Sequence, residues 1–273
     1  MNIWLLNRAV AVIVALAAAA AFIVLFLLPD QTHSLFSWAI SPWMTAREMG
    51  AGYLAGVYLS ARVALGADWP SVRAPVLALT VFSIVTLAAT LLHLDRFHHG
   101  TLPFYVWTGL YAFLAIALPL LYLANERAPR ILPFVSAWPV SRLVQKVAAV
   151  VGVGALVLAA ALFLLPDQMA AIWPWQITPL TARALSAWYF AAGTIGLALS
   201  TIVEWRNWRR ALESGSIVLV TLLVGVVLSW PDFDPARPLT WAYIGGTVAS
   251  LAGIVALYVT TERRLRRGSA AAA

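Results

Sequence analysis

Ala9 to Leu28 is an unbroken run of residues without a charge, long enough on its own to fix the surroundings in which this chain folds. A helix needs about 20 apolar residues to cross a hydrocarbon core of ~30 Å, because each residue rises ~1.5 Å. Seven further stretches of this kind follow, over 45–66, 74–94, 102–124, 147–165, 184–203, 214–230 and 239–260. The 273 residues are 62% hydrophobic and 11% charged, against about 25% charged in an ordinary soluble domain. Such a chain lacks the polar surface to face water, so the expected class is all-α transmembrane with eight helices. The stretch 45–66 is the least apolar, with Glu48 and Arg62 near its ends, where long side chains reach the interface. Arg8 before an alanine-rich run has the look of a signal peptide. The run is too long for one and has a counterpart in mid-chain, so it reads as a retained helix.

That counterpart is part of a repeat. Leu25–Gln31 reads LFLLPDQ and Leu162–Gln168 reads the same. Trp38, Ile40 and Pro42 then keep step with Trp175, Ile177 and Pro179. After a one-residue gap, Thr45-Ala46-Arg47 matches Thr181-Ala182-Arg183, Tyr53 matches Tyr189, and Phe97, Tyr122 and Glu126-Arg127 match Phe233, Tyr258 and Glu262-Arg263. An identity followed by matches over such a distance predicts duplication: repeats over 1–127 and 143–265, a linker over 128–142 with Pro129, Pro133 and Pro139, and a tail over 266–273. Four helices per copy is an even number, so both copies cross in the same sense and are related by an axis along the membrane normal.

With the N-terminus inside, 14 of the 18 basic residues lie on the cytoplasmic side, and only Arg47, Arg96, Arg183 and Arg237 lie outside. Basic residues are retained inside during insertion, so both termini are expected in the cytoplasm. The net charge of +7 then follows from topology and from attraction to anionic lipids at the cytoplasmic face, with no nucleic-acid partner. Of 13 tryptophans, Trp38, Trp43, Trp173, Trp175, Trp230 and Trp241 are expected in an outer aromatic belt and Trp69, Trp205 and Trp208 in an inner one. There is no cysteine, which excludes disulfides and thiolate metal sites.

Two outer-side constellations carry chemistry. In the first, Asp30 pairs with Arg47 and Asp167 with Arg183, while Thr45 and Glu48 have capping-box spacing that Ala184 breaks in the second copy. Asp30, Arg47, Glu48, Asp167 and Arg183 are therefore either outer-face binding sites for an anion or headgroup, or structural clamps. The second is His93-Leu94-Asp95-Arg96-Phe97-His98-His99, which holds three of the four histidines. If the helix continues, Asp95, His98 and His99 share a face, and with His93 they are suitable ligands for a divalent metal. The second copy has Ser229-Trp230-Pro231-Asp232 there, without histidine.

No ionisable residue falls in the middle of an expected span, which weighs against a proton-driven carrier and against a haem ligated between helices. Gly52-Tyr53-Leu54-Ala55-Gly56 suits close helix packing, with Trp188 and Ala192 at the matching positions.

The segment Leu25–Arg47, and more closely Leu162–Arg183 with its run WPWQITPLTAR, resembles a segment of uncharacterised bacterial polytopic membrane proteins. The resemblance implies a bacterial inner (plasma) membrane location, and it carries over no activity and no site residue. Three functional classes are expected, in this order. The first is a non-enzymatic membrane subunit with a protein partner, or a binder of lipid or a small amphiphile at its outer face. The second is a carrier without ion coupling, with its path between the repeats. The third is a metal-dependent enzyme using His93, Asp95, His98 and His99.

Overall fold

The two long helices without a stretch as apolar as a membrane span take the middle of the molecule. In a computed structural model, residues 3–128 and 139–271 are described, and they are all-helical apart from turns and one isolated bridge. The helices are α1 (Ile3–Phe22, continued by a π-helical turn over Ile23–Leu27), α2 (Thr32–Leu35), α3 (Trp43–Ala64), α4 (Trp69–Leu92), α5 (Leu102–Arg127), α6 (Arg142–Leu164), α7 (Pro166–Ile172), α8 (Pro179–Ser200), α9 (Trp205–Leu228) and α10 (Pro238–Ala271). Six of these, α1, α4, α5, α6, α9 and α10, are long and apolar enough to cross a membrane. Helices α3 and α8 are just as long. Their glycines, hydroxyls, tyrosines and arginines lower their hydropathy, and the bundle compensates by enclosing them. The run Met44–Tyr53 is almost wholly buried, and so is Leu180–Ala187.

Packing follows from where small residues permit close approach. Helix α1 lies on α3 and α6 on α8, while α5 covers α4 and α10 covers α9. Between the two sets the partners cross over, so that α3 packs on α9 and α8 on α4, and α4 also touches α9. Helices α3 and α4 consequently make little contact with each other, as do α8 and α9. The α6–α8 contact is the tightest: a Cβ on Gly196 would stand 2.8 Å from the Gly152 Cα, so backbone packs directly on backbone.

Hydrogen bonds recur at a constant chain spacing of 136. Trp69 Nε1 donates to Glu126 Oε1 (2.8 Å) and Trp205 Nε1 to Glu262 Oε1 (2.9 Å). Arg73 Nε donates to the Tyr122 hydroxyl (3.2 Å) and Arg209 Nε to that of Tyr258 (3.1 Å). The chain re-enters beside the α8–α9 turn, where Val140 N–H donates to the Val203 carbonyl. The expected linker is described only at Ala128 and from Pro139 on. Pro129 and Pro133 lie outside the described residues.

Three expectations are corrected. Helices α4 and α9 begin at Trp69 and Trp205, not near 74 and 214, because stretches holding Arg73 and Arg206 to Glu213 continue the helix ahead of the apolar run. Trp38, Trp173, Trp175, Trp205 and Trp208 are not an interfacial belt but sit in the core, whereas Trp43, Trp230 and Trp241 remain exposed. Glu48 does not reach outward from a helix end: α3 starts at Trp43, so the residue lies more than a turn inside the helix and is buried.

Candidate functional site

The outer-loop residues resolve into internal bonds. Arg47 projects from the first turns of α3 across to the end of α9, where its guanidinium donates to the Leu228 carbonyl (3.1 Å) and to the Ser229 hydroxyl. Arg183 holds the equivalent place on α8 and reaches back to Phe163 O (3.0 Å) and across to His93 Nε2 (2.7 Å) at the end of α4. Among the described residues neither arginine forms an ion pair with Asp30 or Asp167. Each crosses to the opposite set of helices, because α3 lies on α9 and α8 on α4. Thr45 is not a cap either: the N-cap of α3 is Pro42, and the Thr45 hydroxyl accepts from Trp175 Nε1 (2.9 Å). The capping box forms in α8, between Thr178 and Thr181.

Glu48 goes to the contact between α3 and α8. Its Oε1 accepts from the Tyr189 hydroxyl (2.8 Å), and its buried Oε2 has no hydrogen-bond partner among the described residues. The residue in register with it, Ala184, cannot accept, and the hydroxyl in register with Tyr189, that of Tyr53, pairs with the Tyr111 hydroxyl instead (2.6 Å).

The histidine turn does not assemble into a ligand set. The ring of His93 faces Arg183, Asp95 pairs with Arg96 (3.1 Å), and His99 Nε2 bonds the Leu94 carbonyl (2.7 Å). His98 is held by its backbone, which donates to the Ser37 carbonyl. The helix ends at Leu92 and gives way to a 3₁₀ turn over Leu94–Arg96, so the expected common face is absent. Among the described residues no group of three or more His, Cys, Asp or Glu side chains converges to hold a metal ion. Burial first, and then the charge of Arg183, hold the His93 pKa below its usual 6.5.

The space that remains lies within the first four long helices. Because α3 turns away from α4 to pack on α9, a gap opens among α1, α3, α4 and α5. It contains two adjoining cavities, of about 320 Å³ and about 190 Å³, which share Val14, Gly56 and Leu79 in their walls. The larger one lies toward the N-terminal end of α1 and holds the polar groups Asn7, Arg8, Ser60, Asp68 and Asn125. Asn7 and Asn125 close it on one side through reciprocal amide bonds (2.9 and 3.1 Å). The smaller is apolar and continues past Phe82 and Leu110 to Ser37 and Pro103. The alanines of α1 supply much of the wall of the smaller cavity. The only signal for the cavity in the sequence is that run of small residues facing Gly56. No protein-family model, curated protein or solved structure matches the chain.

Proposed function

We propose that this chain is an eight-span, non-enzymatic membrane protein that binds a lipid or small amphiphile in the cavity among α1, α3, α4 and α5. One observation carries the reading: a largely apolar space of ligand-pocket size has its polar groups gathered at one end, as an amphiphile requires. Placing the ligand there replaces the outer-face sites considered from sequence, whose arginines are engaged in bonds between helices.

The frame of the proposal is two four-helix repeats related by an axis along the membrane normal, in a bacterial inner membrane, with both termini cytoplasmic. The recurrence of bonds at a spacing of 136 supports the repeat, and the distribution of basic residues supports the orientation. In this frame the lengths of α3 and α8 suit them to span, and their enclosure offsets their lower hydropathy.

Photolysis of a diazirine-bearing phospholipid in intact membranes tests the reading without extraction. Label on α1 and α5 peptides that line the cavity is the expected result. Label confined to outward surfaces, together with a bare mass near 29.5 kDa in native mass spectrometry, would overturn it.

A further inference from the structure

The two cavities together are longer than one lipid leaflet is deep. Along α5 their lining runs from Asn125 to Pro103, which is roughly 33 Å of helix at ~1.5 Å per residue. The hydrocarbon core is ~30 Å thick, so a phospholipid tail entering from one side reaches only about half of that length. Gly56 stands at the junction, and the nearest atom to a Cβ added there is the Ala18 Cβ at 3.7 Å. Its lack of a side chain keeps the passage open.

Among the described residues the polar end carries one charge without an ion-pair partner. Asp68 is neutralised by Arg206 at 3.2 Å. Asn7 and Asn125 satisfy each other. Arg8 lies over the Trp4 ring, 4.4 Å from its centroid, and forms no ion pair among the described residues. A guanidinium at the mouth of an apolar cavity matches a phosphate oxygen pair in charge and in geometry. At the far end the Ser37 hydroxyl is already bonded to the Pro103 carbonyl (2.8 Å), and Tyr53 and Tyr111 are bonded to each other. A ligand that fits has one anionic head and one long unbroken apolar tail.

Resting on the amphiphile-binding reading, we infer that the occupant is a single-tailed phosphate amphiphile whose tail exceeds one leaflet, of the polyprenyl phosphate class. Its phosphate lies against Arg8, and its tail passes Gly56 into the smaller cavity.

Native mass spectrometry of the delipidated full chain titrated with four defined probes tests this inference. The probes are a long-chain polyprenyl phosphate, farnesyl phosphate, the long-chain polyprenol without phosphate, and phosphatidylglycerol. The long-chain phosphate is expected to bind about tenfold or more tighter than each of the others. Arg8→Gln should abolish the advantage over the free polyprenol. Because Arg8 also bears on orientation, Gly56→Leu gives an independent arm: it should weaken the long-chain phosphate more than farnesyl phosphate and so remove the advantage between them. Equal binding of all four probes, displaced by a lipid that photolabels the cavity, overturns this inference and leaves the amphiphile site standing. Failure of every probe to bind, with no label in the cavity, overturns both.

Discussion

Arg183 reaches His93 at 2.7 Å, and the residues 136 positions away from each, Arg47 and Ser229, meet in the same way. Each bond ties the start of a central helix to the end of a helix in the opposite half, so each half is fastened by the other. The two bonds differ in one respect. Serine offers a hydroxyl at any ordinary pH, whereas histidine accepts only while its Nε2 is unprotonated. A guanidinium can only donate, so the His93 ring in this contact is neutral, with its proton on Nδ1.

An acid lability follows. Burial and the Arg183 charge keep the His93 pKa below 6.5, so between that lowered value and 6.5 the unfolded chain binds more protons than the folded one. Stability contributed by this contact is complete above about pH 6.5 and declines as pH falls through the window. Thermal unfolding in detergent across this range should show a midpoint that drops on acidification. His93→Ser, which copies the residue at 229, should flatten that part of the curve, and an unchanged slope in the variant would exclude His93 as its source.

Glu48 and Tyr189 form a second bond between the halves, and here one carboxyl oxygen has no partner among the described residues. Tyr189→Phe strips the other oxygen and should destabilise the protein by ~1–3 kcal/mol, the cost of an unsatisfied buried acceptor. Adding Glu48→Ala, the residue found at 184, removes the stranded group and should restore part of the loss. Denaturant titrations of the wild type, both single variants and the double variant measure this coupling. Simple additivity of the two losses would show that the bond is not what matters there.

The long apolar helices were legible because lipid demands long apolar runs, and the bonds spaced by 136 fall on residues that match in the sequence. What stayed hidden depends on which helix packs on which. Nothing in the α3 sequence says that it will lie on α9 and leave a gap beside α4, so the cavity was unreadable even though Gly56 and the α1 alanines were in view. Glu48 reads as interfacial from its place near the edge of an apolar run, and only the cover of α8 makes it a buried group. The Arg183–His93 bond was legible in principle. The repeat register sets His93 against Ser229 and Arg47 against Arg183, two pairs of hydrogen-bonding residues at matching helix ends. Local charge pairing with Asp30 and Asp167 is the nearer inference from sequence, and it is the one the crossed packing overrides.

Gly52 and Trp188 occupy matching positions of the two halves and touch each other. A Cβ on Gly52 would stand 2.5 Å from the Trp188 ring, whose six-membered edge lies against the α3 backbone. Gly52→Ala should therefore overpack the centre and cost ~1–3 kcal/mol, and Trp188→Phe in that background should recover part of it. Trp188→Phe alone should be destabilising through the space it leaves. Thermal midpoints of the three variants decide the matter, and a neutral Gly52→Ala would mean that the contact is loose.

Orientation can be read directly, because the chain has no cysteine of its own and each introduced thiol reports alone. With eight spans, Leu65 in the α3–α4 turn and Thr201 in the α8–α9 turn lie on the side of the N-terminus, and Ser34 and Ala236 lie on the other. All four positions are exposed, so substitution by cysteine perturbs little. In sealed inverted vesicles, a membrane-impermeant maleimide should label Leu65→Cys and Thr201→Cys at once. Ser34→Cys and Ala236→Cys should react only after the bilayer is opened. If only the six most apolar helices crossed, α3 would not separate the Ser34 and Leu65 loops, and Leu65 would fall on the same side as Ser34. Matched labelling of that pair would therefore exclude eight spans, and opposite labelling would exclude six.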